Sequence, residues 1–143
     1  MDFFDVVRNR RSIREYKDLP ISTHDIEEIV DAARLAPTAR GEQPWEFVVC
    51  TDKEKLQDLG EMTDHGKFLK KAAAGIIVIC KDTKYYLEDG SAATESIILA
   101  AASVGIGSCW IAGDKKDYAE KILKYIGAPA GYKLVSMVSL GYP

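Results

Sequence analysis

The stretch "NRRSIREY", residues 9–16, gathers Arg10, Arg11 and Arg14 around Ser12, with Glu15 as its one acid. Guanidinium groups this close repel one another unless water or a negative partner compensates them. The cluster can be a solvated turn, a nucleic-acid patch, or a clamp for a small anion, because arginine's planar fork matches a phosphate bidentately. The whole chain is acidic, with 19 Lys+Arg against 22 Asp+Glu, a net charge of −3 and a pI near 5.4. That balance argues against a general nucleic-acid binder, and no basic stripe or aromatic platform accompanies the arginines. The ligand expected for them is small.

Two further stretches hold groups able to meet a ligand. "APTARGEQPWEFVV", residues 36–49, leaves a helix through Pro37, crosses a polar loop and enters a strand at Trp45. It is either an ordinary connection anchored by its tryptophan or a binding loop in which Gln43 reads a heterocycle's carbonyl or imide edge. "SCWIAGDKK", residues 108–116, ends a strand at Ala112 and Gly113. It is either a plain strand-to-helix turn with Asp114 as N-cap, or a tip whose backbone N–H groups and glycine admit a flat ligand.

The familiar catalytic constellations are missing. His24 and His65 have no partner at metal-ligand spacing, and both read as surface residues. No GxSxG elbow, no GxxxxGK[ST] phosphate loop and no GxGxxG after a strand occurs. Hydrolase and nucleotide-hydrolase chemistry therefore lacks support. Cys50, Cys80 and Cys109 sit far apart in apolar runs, as reduced core thiols of a cytoplasmic protein would. The start of the chain lacks an apolar stretch long enough for a signal peptide, and the longest apolar run, 96–113, is broken by Gly105 and Gly107. A soluble protein is expected.

The elements that must position these groups follow from length and periodicity. A chain of 143 residues is expected to form one domain, 1–143, large enough to be stable without metal or disulfide. Residues 2–9 suit a short helix with Phe3, Phe4, Val6 and Val7 on one side. A second helix over 21–36 is capped by Ser22 or Thr23 and ended by Pro37. "WEFVVCT" (45–51), "GIIVICK" (75–81), "GSCWI" (107–111) and "KLVSMVSLG" (133–141) read as strands. Thr51 and Glu54 suggest a capping box for a helix through Met62, and 115–127 a late helix ending at Gly127. "AATESIILAAASVG" is apolar nearly all round, so a helix there must be buried on most faces, one route being a second subunit. Alternating strands and helices predict an α+β or α/β sandwich: a central mixed sheet with helices on both faces.

Taken together, "RRS" at a turn, "PTARGEQPW" before the first strand, "GIGSCWIAG" before a late helix and the closing "SLGYP" resemble the nitroreductase family over nearly the whole chain. The resemblance implies a compact, homodimeric member with FMN at the subunit interface. It implies that Arg10, Ser12 and Arg14, with Arg11 in the same motif, grip the FMN phosphate and ribityl chain. Pro37, Thr38 and Ala39 would lie along the flavin, Gln43 would contact it, and the backbone of Ala112 and Gly113 would face the edge of the ring where a hydride arrives. The implied activity is a ping-pong oxidoreductase that moves a hydride from NAD(P)H through flavin N5 to a small-molecule acceptor such as a nitroaromatic or a quinone. No catalytic side chain and no metal is assigned, since the flavin carries the chemistry. No nucleic-acid or membrane partner is implied. The alternative is a flavin-binding protein without turnover: a carrier, a sensor or a decayed relative.

Three departures from the family bear on that implication. Gly41 stands where most members have an asparagine that reaches the flavin pyrimidine. Relatives usually continue beyond the position of Pro143 and return a Lys or Arg to the phosphate; one lost charge-assisted hydrogen bond costs about 1.5–3 kcal/mol, roughly ten- to a hundredfold in affinity. The connection from Lys81 to Gly90 is short, which implies an open and unselective pocket.

Overall fold

"AGIIVIC", residues 74–80, offers no polar side chain to solvent on either side, so a strand there has to be covered on both faces. A computed structural model describes residues 1–143 and meets that demand. Strand β2 (Ala74–Lys81) is buried from Ala74 to Cys80 at the centre of a sheet ordered β1-β2-β4-β3. Its neighbours are β1 (Trp45–Cys50) and β4 (Tyr132–Gly141), and β3 (Gly107–Ala112) forms the far edge. Alternate residues of β2 face opposite layers. Ile76, Val78 and Cys80 pack beneath α2 (Thr23–Arg34) and α4 (Tyr86–Ser103), with Ile29, Ala33, Ile97 and Ala101. Ile77 and Ile79 pack beneath α3 (Lys53–Glu61) and α5 (Ala119–Tyr125), with Leu56, Leu59, Ile122 and Leu123.

The sandwich is as expected, but the strands do not form a mixed sheet: all three pairings are antiparallel. The α4 crossover does leave β2 and β3 running in the same direction. β4 inserts between them and pairs antiparallel with both, an arrangement that local patterning does not encode. Parallel pairing is confined to a single bridge between Ser12 and Ser108. In the β2–β4 ladder the register shifts after Val78, leaving Val135 as an extra residue on β4.

Helix starts differ in detail. Ser22 caps α2 by accepting from Asp25 N–H at 3.1 Å, as expected. Asp52, not Thr51, caps α3, its Oδ1 accepting from the N–H groups of Glu54 and Lys55, so the Thr51/Glu54 box does not form. α4 begins at Tyr86, within the stretch expected to be a connection, and α5 begins only at Ala119, so Asp114 caps no helix. α1 (Phe3–Asn9) packs on α4 but buries only Val6, leaving Phe3, Phe4 and Val7 exposed. Cys80 and Cys109 are buried free thiols, and Cys50 is half-buried. No helix is long and apolar enough to cross a membrane.

Candidate functional site

Gly107 opens β3 and Gly141 closes β4, and the two are partners in register. A Cβ on Gly107 would meet the Ile13 side chain at 3.0–3.2 Å, and one on Gly141 would meet the Tyr16 ring at 2.6–3.0 Å. The missing side chains leave a shallow groove that residues 12–17 fill. Ile13 N–H donates to Ser108 O at 2.9 Å and Lys17 N–H to Tyr142 O at 2.8 Å. Tyr16 donates its one hydroxyl proton to Ile13 O at 2.5 Å, so the Ser139 hydroxyl, 2.7 Å away, donates to Tyr16. Burial pushes the Tyr16 hydroxyl up to about 12.

This seating strings the arginines along the β3 edge. Arg10 and Arg11 line a cavity of about 210 Å³ with Gly105, Gly107 and Ser108. Arg14 lines a second of about 220 Å³ at the other end of β3, with His65, Phe68, Trp110, Ala112 and Lys116. The Arg14 guanidinium lies 5.9 Å from the centre of the Phe68 ring. Glu15, the one acid of the stretch, is taken by Lys71 at 2.8 Å, and the only other ion pair is Arg34 with Asp31. Arg10, Arg11 and Arg14 thus have no carboxylate partner within the chain. Arg11 turns its guanidinium back onto the carbonyls of Arg8 and Arg10 at 3.0 and 2.8 Å, which leaves Arg10 and Arg14 as the two of these three guanidinium groups without an internal hydrogen-bond acceptor.

The loop after α2 is held in an unusual shape. Arg40, Gly41 and Gln43 have φ of 59°, 65° and 48°, in the left-handed region. Gly41 has open space around it, so the backbone conformation accounts for the glycine. Asparagine is the other residue that tolerates this region. Gln43 N–H donates to Thr38 Oγ1 at 3.2 Å, and Ala39 N–H to Asp89 Oδ1 at 3.0 Å.

At the C-terminal end of β3, Ala112 is exposed and Gly113 buried. A Cβ on Gly113 would meet Leu134 Cγ at 2.6 Å, so packing against β4 requires this glycine, whether or not a ligand approaches it. Asp114 N–H donates to the carbonyl of Val135, the bulge residue. Tyr86 donates its hydroxyl proton to Asp114 Oδ1 at 2.6 Å, and that bond pushes the Tyr86 hydroxyl up to about 12. Lys115, next along, has φ 64°.

Comparison with known proteins decides what this arrangement belongs to. The Nitroreductase family profile matches residues 7–86 and 81–142. The chain belongs to the nitroreductase family. It is 44% identical over 146 aligned residues to an Archaeoglobus fulgidus protein provisionally named an NADH dehydrogenase/NAD(P)H nitroreductase, covering 96% of this chain and 83% of the relative. A protein of the same provisional name from Methanothermobacter thermautotrophicus is 35% identical, covering 100% and 78%. The solved FMN-dependent nitroreductase from Clostridium difficile R20291 superposes with a TM-score of 0.94 at 36% identity, covering 97% of this chain and 86% of that one.

Arg10, Arg11, Ser12 and Arg14 lie along one sheet edge, Arg10 and Arg11 in the cavity at the start of β3 and Arg14 in the one that holds Ala112 at its end. Pro37, Thr38, Ala39, Gly41 and Gln43 lie before β1, at the opposite edge, and are tied to α4 instead. Tyr86 and Asp89, in the first turn of α4, bond one segment each: Asp114 beyond β3, and Ala39 in the loop. Sequence reasoning passed over both, and over Phe68 and Lys116 beside Arg14, while His65, read as a surface residue, is exposed and lines the same cavity. Asp89 did carry a signal, as an acid inside a segment whose later turns are apolar. It reads equally as a charge favoured at a helix N-terminus.

Proposed function

We propose that this member of the nitroreductase family is an FMN-dependent oxidoreductase that draws a hydride from NAD(P)H and passes reducing equivalents to a small acceptor such as a nitroaromatic or quinone, in ping-pong fashion. The carrying observation is that Arg10 and Arg14, on the segment that runs along β3, have no acidic partner within the chain. The donor set fits the cofactor: a phosphate ester bears nearly two negative charges, and Arg10, Arg14 and Ser12, flanked by Arg11, supply charged and neutral donors. FMN, when bound, supplies the hydride-accepting ring.

The chain's own part is to bind and orient. Arg10, Ser12 and Arg14 would hold the phosphate and ribityl chain. The loop of Pro37, Thr38, Ala39, Gly41 and Gln43 would flank the ring, and backbone donors at Ala112 and Gly113 would stabilise negative charge developing on it. The exposed Phe3, Phe4 and Val7 on α1, packed on the apolar α4, support a homodimer in which loop and arginines from different copies line one site. The structural relative's name as an FMN-dependent nitroreductase and the provisional NAD(P)H nitroreductase names support the same assignment.

Purified protein reconstituted with FMN should be yellow and should bleach on anaerobic addition of NADH or NADPH, then recover colour with a quinone. Yellow protein that never bleaches with either nicotinamide would mark a flavin binder without turnover.

A further inference from the structure

The chain has three non-glycine residues with left-handed backbone, Arg40, Gln43 and Lys115, and they fall in two loops far apart in sequence. Such conformations are costly for residues with a Cβ and persist only where the surroundings enforce them. Both loops are fastened to the same helical turn. Asp89 accepts from Ala39 N–H, next to Arg40, at 3.0 Å, and Tyr86 donates to Asp114, next to Lys115, at 2.6 Å. Tyr86 and Asp89 stand three residues apart and so share one face of α4.

The fastening is made at a cost. Asp89 is only 4% exposed, and its Oδ2 has no partner; the buried Asp114 Oδ2 has none either. Unsatisfied buried carboxylate oxygens are rare and expensive, and where they occur a role should account for them. A chain selected for stability alone would gain by replacing Asp89 with an apolar residue, unless the bond to Ala39 matters.

We infer that the first turn of α4 is a clamp in which Asp89 and Tyr86 act as positioning residues, holding the Thr38–Gln43 loop and the Gly113–Lys115 turn in the strained shapes that meet the flavin. This rests on the FMN reading above. The two residues touch no reacting atom; they set backbone that does.

The test compares Asp89→Ala, Asp89→Asn and Tyr86→Phe with wild type in FMN titrations followed by fluorescence quenching. Visible circular dichroism of the bound flavin and kcat at saturating FMN are measured alongside. Asp89→Ala should weaken FMN binding by about tenfold or more, the equivalent of one hydrogen bond and the ordering it maintains. Asp89→Asn keeps an acceptor for Ala39 N–H and should stay within about threefold of wild type. Tyr86→Phe should weaken binding by about fivefold. Both weakened variants should show an altered visible dichroism even when saturated. A merely structural role would lower melting temperature yet leave dichroism and kcat of the saturated, folded protein unchanged, and that result overturns the inference. If Asp89→Ala does not fold, Tyr86→Phe, which loses a single oxygen, decides between the same two outcomes. Wild-type protein that binds no FMN would overturn the flavin reading itself and this inference with it; variants that match a binding wild type would overturn only the clamp.

Discussion

Replacing Tyr16 by Phe takes one oxygen out of the joint that seats the arginine segment on the sheet. That oxygen gives its proton to Ile13 O and accepts one from Ser139, which is completely buried near the C-terminal end of β4. Each hydrogen bond is worth about 1 kcal/mol net, and a hydroxyl stranded in the interior adds part of a 1–3 kcal/mol penalty, so the loss comes to about 2–3 kcal/mol. The ring still fits over Gly141, so no cavity term is added. For a chain of this length the total stability is about 7–20 kcal/mol. The loss should lower the melting temperature by about 6–12 °C. Urea unfolding should show a lower midpoint with an unchanged slope, because the surface exposed on unfolding is the same. FMN affinity should fall as well, since Arg14 lies two residues before the loosened anchor. A melting temperature within a degree of wild type, with unchanged FMN affinity, would refute the view that Tyr16 seats the arginines.

Gly107→Ala should have a kindred effect by another route: its Cβ would press on Ile13 at 3.0–3.2 Å, costing about 1–3 kcal/mol and weakening FMN binding, as calorimetry and flavin titration would report. Alkaline titration gives a third check. Tyr16 and Tyr86 are raised to about 12 in the fold, against about 10 when unfolded, so their contribution is intact below pH 10 and disappears as pH rises from 10 to 12. Stability measured by denaturant should therefore decline over that window, and less steeply in Tyr16→Phe; equal slopes would contradict the assignment. Sedimentation equilibrium at micromolar concentration should find a dimer that Phe3→Asp with Phe4→Asp converts to monomer, because these rings are 62% and 65% exposed in the single chain. A monomeric wild type would contradict a shared site.

Much of the frame is legible along the chain because burial writes it there. The apolar runs that became β1 to β4 end within a residue of their expected limits, and Ser22 and Pro37 bracket α2 as their chemistry dictates. What escapes the sequence is decided by contacts between distant segments. β4 slips between β2 and β3, so two strands joined by a helical crossover never pair. The first turn of α4 looks like a loop because Tyr85, Tyr86, Glu88 and Asp89 serve neighbouring segments and solvent instead of an apolar face. Thr51 and Asp52 are both able to cap, and the burial of Leu56 and Leu59 sets the helix register that favours Asp52. The arginine cluster was legible as chemistry, whereas its seat was not: Tyr16, Gly107 and Gly141 only acquire meaning once they meet.

The central claim is that the N-terminal guanidinium groups hold a phosphate, and comparing FMN with riboflavin tests it most directly, since the two ligands differ only in that group. Dissociation constants by flavin fluorescence should favour FMN by about a hundredfold or more in wild type, the equivalent of two charge-assisted hydrogen bonds. In the doubly substituted Arg10→Ala/Arg14→Ala protein that preference should collapse to within a few fold while the fold persists. Equal affinity of the wild type for FMN and riboflavin, or a preference that survives loss of both arginines, would contradict the account.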